Sequence, residues 1–394
     1  MNIVLFTHPS FLNSQSMPRF AEMIAGGMIE RGHNVEIWTP RPRFYTLAPV
    51  QFLKKWFGYV DQFVLFPGEV KVKLKAVPPD TIFVFADQAL GPWVPLVSHL
   101  PHVIHCHDFL AQMSAQGRIA SNPVSFTGRL YQKFIRQGYG KGRNFISVSE
   151  KTRNDLKSFL PSPVPVNEVV YNGLNKSFTA SDVLACRKMV GSRAGRGLND
   201  GYLLHVGGNQ WYKNRTGVIE IYNQWRSVSP RSLPLLLVGE SPSEEILQAI
   251  SASAFTADIV VLTDIKDDQI SQFYSGASVF LFPSLAEGFG WPIAEAMASG
   301  TVVVTTGEAP MTEVGGDAAF YISRRPDAAC NLNKWAREAA IVVEKVTTMS
   351  IEERQKCIKS GIANARRFET TKALDKIEAI YKAILNKTEA VQYV

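Results

Sequence analysis

Short apolar runs alternate with helix-like stretches along the first half of the chain. The runs have the length and composition of buried strands, and the stretches between them repeat apolar residues at helical spacing. Strands are predicted at Ile3–Phe6, Val35–Thr39, Ile82–Phe85, Val103–Cys106 and Phe145–Val148, and helices at Met17–Arg31, Val124–Lys141 and Lys151–Leu160. Strands that alternate with helices indicate parallel βαβ units in an open sheet that is covered on both faces.

A second series of the same kind begins after residue 200 and ends in a helical tail. Its strands are predicted at Tyr202–Val206, Leu235–Val238, Ile259–Leu262, Val279–Phe282 and Val302–Thr305, and its tail helices at Glu352–Phe368 and Thr371–Leu385. The predicted fold class is α/β, with two doubly wound, Rossmann-like domains that face a central cleft, where ligands of such sheets bind. We assign residues 1–175 to the first domain, 176–200 to a linker and 201–369 to the second domain. The helix over 370–394 is expected to pack back on the first domain.

The composition agrees with two domains, because 394 residues exceed what one hydrophobic core comfortably supports. With 46% hydrophobic and 20% charged residues, the chain has the composition of a soluble globular protein. No apolar run reaches transmembrane length, and a strand-like run starts directly after Met1. We therefore expect a cytoplasmic protein without a secretory signal, and the cysteines, which have no paired spacing, are expected to be reduced.

The net charge of +7 is unevenly distributed. Residues 1–175 hold 18 Lys and Arg against 11 Asp and Glu, whereas residues 176–394 hold 24 of each. An anionic partner is therefore expected at the first half.

Aromatic residues lie beside lysines in the first half, along Gln51–Phe66, and Gly128–Arg136 is typical of a basic amphipathic helix. Two interpretations stay open. The segment docks peripherally on the inner face of the anionic cytoplasmic membrane, or Trp56 and Phe57 pack inside the domain while the lysines are solvated. Nucleic acid is not an expected partner, because the basic residues are scattered and no binding motif accompanies them.

The stretch Ser284–Gly300, SLAEGFGWPIAEAMASG, carries the strongest functional signal. A predicted strand precedes it, a glycine turn follows, and Pro292 suits the first turn of a helix. Free N–H groups and a partial positive charge at that helix end favour a phosphate. Glu287 and Glu295 lie near the same end, where carboxylates accept hydrogen bonds from sugar hydroxyls. The competing interpretation is a strand-to-helix turn with two surface acids.

A second glycine turn follows the first strand of the second domain, where Gly207 and Gly208 let the backbone approach a ligand. Lys213 lies near the next helix start, where its point charge can neutralise a departing phosphate. A solvated lysine is the competing interpretation.

These strings, in this order, resemble the retaining glycosyltransferases of family 4, which have the GT-B architecture. The resemblance rests on E-G-F-G-x-P-x-x-E-A-M-A-x-G, on V-G-G with the later K-N, and on the shorter strings Val148–Glu150, Val170–Asn175, Arg31–Val35 and Glu313–Ala318. It extends from Asn2 to about Arg367.

The resemblance implies a donor site in the second domain and an acceptor site in the first. Glu295 would hold the ribose hydroxyls, Glu287 the donor sugar, and Lys213 the diphosphate. The implied nucleotide-sugar-binding residues are Gly207, Gly208, Asn209, Lys213, Arg215, Ile265, Glu287, Gly288, Phe289, Gly290, Ile293 and Glu295. No Asp-x-Asp triplet occurs, so no metal cofactor is expected. The family's arginine beside the lysine is replaced here by Tyr212, and Arg215 is the candidate substitute.

The string His102–Asp108 permits three interpretations. His105 and His107 share a strand face, so a metal site with Asp108 is one. Structural core histidines are the second. The third follows from the resemblance, which places His107 and Asp108, with Ser16, on the acceptor side and makes His107, Lys213 and Glu287 the catalytic residues. Front-face attack, in which the leaving phosphate takes the acceptor's proton, is the mechanism it implies.

The predicted function is metal-independent, retaining transfer of a sugar from a UDP-, GDP- or ADP-sugar to a saccharide or lipid-linked acceptor in polysaccharide or lipopolysaccharide biosynthesis. The alternatives are a nucleotide-sugar epimerase, another non-transferase GT-B enzyme and, less favoured, a non-enzymatic sugar-nucleotide-binding protein. A dinucleotide oxidoreductase is disfavoured, because no G-x-G-x-x-G follows the first strand.

Overall fold

The computed structural model describes residues 1–12, 16–174 and 178–392, and for 16, 267 and 388–392 it describes only the backbone. In chain order the strands are β1 Asn2–Phe6, β2 Asn34–Trp38, β3 Thr81–Phe85, β4 His102–Cys106, β5 Asn144–Ser147, β6 Val166–Val169, β7 Leu203–Val206, β8 Leu235–Val238, β9 Ile259–Leu262, β10 Val279–Phe282, β11 Val303–Thr306 and β12 Phe320–Ile322. The helices are α1 Ser16–Glu30, α2 Arg43–Leu47, α3 Gln51–Val60, α4 Phe66–Lys73, α5 Leu110–Ala115, α6 Phe126–Tyr139, α7 Glu150–Phe159, α8 Val183–Ala194, α9 Arg215–Val228, α10 Glu244–Ser251, α11 Asp267–Gly276, α12 Trp291–Ala298, α13 Met311–Gly315, α14 Leu332–Thr347, α15 Ile351–Ala365 and α16 Thr370–Gln392.

The first compact unit runs from Met1 to Tyr171 and resumes at Thr371. Its six strands form a parallel sheet in the order β2-β1-β3-β4-β5-β6. Every residue of β3 and β4 is buried, as the continuous apolar runs predict for strands covered on both faces. β6 was not predicted, because its sequence, VNEV, has two adjacent polar residues and forms a partly exposed edge strand.

Helix α16 belongs to this first unit. Arg31, just after α1, forms an ion pair of 2.8 Å with Asp375, and the His33 ring is hydrogen-bonded to the Glu378 carboxylate at 2.9 Å. Leu374 is buried and fits over Gly27 of α1, where a Cβ atom would lie 2.3 Å from its side chain. The C-terminal helix therefore packs on the same sheet as the N-terminal strands.

The second unit, Asn172–Thr370, holds the other parallel sheet, in the order β12-β11-β10-β7-β8-β9. Strands β7, β8 and β10 are almost wholly buried, and Trp225 of α9 and Trp335 of α14 belong to the core beneath them. The short edge strand β12 was not predicted.

The prediction of a linker over 176–200 is wrong for its described part. Residues 183–194 form α8, whose first turn is capped by Asp182, and α8 packs on α11 within the second unit. Arg187 of α8 donates to the carbonyl of Gly276, which ties the helix to the end of α11. Residues 175–177, which include the end of the Val170–Asn175 string, lie outside the described residues.

Among the helices of the described ranges, none combines the length and the apolar character required to cross a bilayer.

One close approach in the first unit yields a test of its packing. α6 crosses the 3₁₀ segment Gln88–Leu96 at Gly138 and Gly91, and a Cβ atom on Gly138 would lie 2.1 Å from the Gly91 carbonyl oxygen. We expect Gly138→Ala to lower the free energy of unfolding by about 1–3 kcal/mol in urea denaturation, since backbone atoms must move apart.

The control is Gly26→Ala in α1, where an added Cβ meets no atom within 4 Å. That change should be neutral or stabilising by up to about 1 kcal/mol, through helix propensity. Equal stability of the Gly138→Ala variant and the wild type would show that the two segments do not touch as described.

Candidate functional site

Two loops meet at the carboxyl edge of the second sheet, where β7 and β10 lie side by side. The loop after β7 ends in a single 3₁₀ turn, Trp211–Lys213, and Asn214 then takes a left-handed conformation that starts α9. The Asn214 side-chain amide donates to the Pro283 carbonyl at 2.8 Å, and the Leu285 amide donates to the Tyr212 carbonyl at 2.7 Å. The glycine turn and the SLAEGFG stretch are thus hydrogen-bonded to each other.

The centre of this site is an ion pair between the two loops. Lys213 Nζ lies 2.8 and 3.1 Å from the two carboxylate oxygens of Glu287. The side chains are only 16% and 8% exposed, and Nζ also lies 5.2 Å from the centre of the Phe282 ring. A pair so removed from water interacts more strongly than a surface pair. Glu287 is therefore not a surface acid, and the lysine is not freely solvated.

Helix α12 begins directly after this loop. Gly290 has φ +101°, a conformation that favours glycine, and lets the chain turn into the helix. Ile293, in the first turn, donates its amide to the Gly290 carbonyl at 3.0 Å. Glu295 is 5% exposed and accepts a hydrogen bond of 3.2 Å from the Tyr274 hydroxyl of α11. Glu295 too is a buried acid.

Arg215, the first residue of α9, is almost fully buried. Its guanidinium donates to Asn209 Oδ1 at 2.7 Å and to the Glu240 carbonyl at 3.0 Å. Asn209 in turn donates its side-chain amide to the Ser241 carbonyl at 2.6 Å. Burial lowers the pKa of Arg215, and the Glu240 carboxylate opposes that shift. In this structure Arg215 holds the loops after β7 and β8 together.

Glu240 was missed by the sequence reasoning. Its carboxylate accepts from the Asn209 backbone amide at 3.1 Å and from the Gln210 side chain at 3.3 Å. Its position in the sequence could have indicated that it lies at this site. Glu240 follows a buried apolar strand in Val238-Gly-Glu240, and the carboxyl ends of adjacent parallel strands share one edge of a sheet.

The glycines of this edge allow the loops to approach closely. Gly239 has φ +140°, and a Cβ atom there would lie 2.2 Å from the Gly207 carbonyl oxygen. A Cβ on Gly208 would lie 2.9 Å from the Glu240 carboxyl carbon. No side chain fits between the two loops.

The remaining predicted donor residues lie in the same unit. Ile265 follows β9, next to Asp264 with φ +57°, and is half-buried. Phe289 is 4% exposed and packs edge-on against Phe368, with ring centres 5.3 Å apart. Its buried ring anchors the loop between β10 and α12. Gly288 lies in the loop between Glu287 and Phe289.

His107 follows β4 in the first unit and is 8% exposed. Its Nε2 lies 2.8 Å from the Ala86 carbonyl, so that nitrogen carries the proton and Nδ1 is an acceptor. Burial lowers the pKa of His107, and the nearby Asp87 opposes that shift. The Asp108 carboxylate accepts from the Leu110 amide at 3.0 Å. The side chain of Ser16 lies outside the described residues.

A second pair, His8 and Asp87, was missed in the first unit. His8 Nε2 lies 2.8 Å from Asp87 Oδ2, and the two residues follow β1 and β3, which are adjacent strands. Burial raises the pKa of Asp87, but the hydrogen bond and charge of His8 outweigh burial, and the pKa is lowered. The pair lies at the same sheet edge as His107.

His105 is a core histidine. Its Nε2 is hydrogen-bonded to the Tyr381 hydroxyl of α16 at 2.7 Å, and burial lowers its pKa to about 3. His105 and His107 therefore have separate partners and are not arranged to share a metal. Across the part of the chain that the structure describes, no group of three or more His, Cys, Asp or Glu side chains is placed to hold a metal ion.

Comparison with known proteins adds sequence and structural relatives. The profile described as "Glycosyltransferase Family 4" matches residues 17–178, and that described as "Glycosyl transferases group 1" matches residues 200–332. O-antigen chain mannosyltransferase B of Escherichia coli is 32% identical over 122 residues, which is 30% of this chain and 32% of that protein. O-antigen chain mannosyltransferase RfbU of Salmonella typhimurium is 25% identical over 204 residues, 51% and 53% of the two chains. The chain thus spans about a third to a half of the length of these curated relatives.

Solved structures match almost the whole chain at low identity. Sucrose-phosphate synthase from Thermosynechococcus elongatus has a TM-score of 0.75 at 15% identity and covers 98% of this chain and 100% of its own. Anabaena Alr3699/HepE in complex with UDP and glucose has 0.68 at 16%, covering 97% and 100%. WaaG, a glycosyltransferase involved in lipopolysaccharide biosynthesis, has 0.67 at 16%, covering 97% and 99%. These likenesses confirm the predicted α/β fold class with GT-B architecture.

The second unit contains a single histidine, His205, at the end of β7. It is fully buried, its Nδ1 lies 2.9 Å from the Leu281 carbonyl, and burial lowers its pKa to about 3. In the unfolded chain the pKa of His205 is about 6.5. Below that pH the unfolded chain binds one proton that the folded unit does not bind, so the free energy of unfolding falls as the pH falls. We expect the second unit to lose about 2 kcal/mol between pH 7 and pH 5, measured by hydrogen exchange of β10 amides.

The matched variant is His205→Asn, which does not titrate in this range. It should show a flatter pH dependence than the wild type, whatever its absolute stability. The same slope in both proteins would mean that His205 is not held neutral in the folded unit.

Proposed function

We propose that this chain, which belongs to the group 1 glycosyltransferases of family 4, transfers a sugar from a nucleotide-diphosphate sugar to a hydroxyl of a saccharide or lipid-linked acceptor. The observation that carries the proposal is the buried pair of Lys213 and Glu287 beside the start of α12. Relatives named as O-antigen mannosyltransferases support polysaccharide or lipopolysaccharide biosynthesis as its setting. A structural neighbour solved with UDP and glucose supports a nucleotide-sugar donor.

Lys213 and Glu287 suit opposite ends of such a donor. The diphosphate would take Lys213 Nζ as its cation, and Glu287 would turn one oxygen to the sugar hydroxyls. The positive end of α12 lies on the same loop and adds to the lysine charge. Glu295, one turn into α12, would accept from the ribose diol. Gly207 and Gly208 leave room for the backbone to approach the phosphates.

Arg215 would act indirectly in this site. Its guanidinium is bound to Asn209 and to the Glu240 carbonyl, so it fixes the loop that presents Lys213. We therefore propose Arg215 as a positioning residue rather than a second phosphate ligand.

The transfer step is proposed to be retaining and independent of metal. Lys213 and the α12 N-terminus would stabilise the leaving diphosphate, whose oxygen would take the proton of the attacking hydroxyl on the same face of the sugar. His107 is neutral, with Nε2–H donated to Ala86, so Nδ1 is the nitrogen that would accept a hydrogen bond from a sugar or acceptor hydroxyl. Asp108 would stand beside it on the acceptor side.

A thermal-shift panel of UDP-, GDP- and ADP-sugars first identifies the donor, because a ligand of the folded form raises Tm. With that donor, Glu295→Ala should weaken binding about tenfold or more by calorimetry, since a hydrogen-bonded carboxylate is lost. His107→Ala should mainly lower kcat, with donor binding unchanged.

The control is Tyr274→Phe, which removes a hydroxyl that donates to Glu295 but keeps the carboxylate. It should bind donor nearly as the wild type does. Wild-type kinetics in both Glu295→Ala and His107→Ala would contradict the assignments. Conversion of donor to a new nucleotide sugar without any acceptor would indicate an epimerase instead.

We also propose that the first unit docks on an anionic membrane. α3 and the helical turn Asp61–Leu65 that follows it contact α6 through rings: Tyr59 of α3 stacks on Tyr131 at 5.5 Å, and Phe63 of the turn lies edge-on to Phe134 at 5.5 Å. Large apolar side chains remain exposed around this contact, namely Phe52, Trp56, Phe126, Leu130 and Phe134. The basic side chains of Lys54, Lys55, Arg129 and Lys133 lie on the same two helices. Exposed rings beside cations suit the headgroup layer of an anionic bilayer.

The double variant Phe52→Ser with Trp56→Ser tests this proposal, because both side chains are at least half exposed and one turn apart. We expect the wild type to sediment with phosphatidylglycerol vesicles and the double variant to lose most of that binding. Ile351→Ser, at a 77% exposed position of the second unit, is the control and should sediment like the wild type. Equal sedimentation of the wild type with and without vesicles would reject docking.

A further inference from the structure

A cavity of about 360 Å³ lies in the first unit where β4, β5 and β6 begin. His102, Asn144 and Val166, the first residues of those strands, line one side. Ile384 and Lys387 of α16 line another. The cavity is at the amino edge of the sheet, opposite to His107, which follows β4 at the carboxyl edge. It is therefore separate from the residues proposed for transfer.

The lining of this cavity is basic. His99, Arg143 and Lys387 contribute exposed cationic or titratable side chains, and the lining includes no Asp or Glu. Within the described ranges none of the three has a hydrogen-bond or ion-pair partner for its side chain. The two cations, Arg143 and Lys387, repel each other at one cavity unless an anion lies between them.

His102 fixes the geometry of the cluster. Its Nδ1 is bonded to the Leu100 carbonyl at 2.8 Å, and the Arg143 backbone amide donates to its Nε2 at 3.1 Å. Both ring nitrogens are thus used, and the ring holds the Arg143 backbone against the start of β4. Burial lowers the pKa of His102, the hydrogen bond to the Leu100 carbonyl opposes that shift, and the charges of Arg143 and His99 lower it further. The backbone that carries Arg143 is therefore held in place at the rim of a cavity with no Asp or Glu in its lining.

The lining also includes the apolar side chains of Leu100, Pro165 and Ile384. We propose that this cavity binds a phosphate-bearing ligand, with Arg143 and Lys387 on the phosphate oxygens and these apolar side chains against the remainder of the molecule. Arg143 offers a planar donor fork and Lys387 a point charge, the two recognition modes common for phosphate. Because Lys387 belongs to α16 and Arg143 to the loop before β5, the ligand would also fasten the C-terminal helix to the sheet of the first unit.

Hydrogen–deuterium exchange with inorganic pyrophosphate at low salt tests the proposal, since exposed charge contacts are screened by salt. We expect protection in peptides covering 98–102, 142–146 and 383–387. The double variant Arg143→Gln with Lys387→Gln should need about tenfold more pyrophosphate for the same protection. Lys141→Gln, an exposed lysine of the same loop that does not line the cavity, is the matched control and should respond like the wild type.

Exchange measured for individual peptides distinguishes this cavity from the proposed donor site. Pyrophosphate bound at the donor site would protect residues 207–214, and the double variant would keep that protection. A second arm replaces pyrophosphate by phosphatidylglycerol vesicles. Protection of the cavity peptides by pyrophosphate alone would support a free phosphorylated ligand, and protection by both would support a lipid headgroup as the source. No protection of these peptides in either arm, or equal protection in the double variant, would overturn the proposal.

Discussion

The ion pair between Lys213 and Glu287 is the interaction on which the candidate donor site depends. The two residues lie on different loops, 74 positions apart, and meet because β7 and β10 are adjacent in the sheet. Each charge is largely removed from water, which is costly unless the partner is present. The pair therefore fixes the positions of both loops and keeps one cation at the carboxyl edge of the sheet.

Close backbone contacts, a buried arginine and a helix end surround this ion pair. Gly207, Gly208 and Gly239 bring the loops after β7 and β8 into backbone contact, and Arg215 holds them there through Asn209. The first turn of α12 adds a partial positive charge on the other side. The edge thus combines one ammonium group, one helix end and two buried carboxylates, an arrangement suited to a ligand with phosphates at one end and hydroxyls at the other.

The sequence predicted most of the fold, because continuous apolar runs must be buried on both faces in a parallel sheet. Two edge strands, β6 and β12, escaped this reasoning, because β6 is partly polar and β12 has only three residues. The glycines of 191–201 suggested a loop, although Asp182 caps a helix that runs to Ala194.

The candidate site was predictable where its chemistry lies within one string, as with Glu287 and Glu295. Contacts between distant residues were not, because spacing carries no information on which side chains meet across a sheet edge. Arg215 with Asn209 and Glu240, His8 with Asp87, and His105 with Tyr381 are examples of contacts that only the fold shows.

A crystal structure with the intact nucleotide-diphosphate sugar, grown in the presence of a chelator, would show whether Lys213 and α12 hold the diphosphate without a metal. We expect the diphosphate within about 3 Å of Lys213 Nζ, beside the first turn of α12, with the ribose hydroxyls on Glu295 and no divalent ion between phosphate and protein. A diphosphate bound away from Lys213, or one that binds only through a bridging divalent cation, would contradict it.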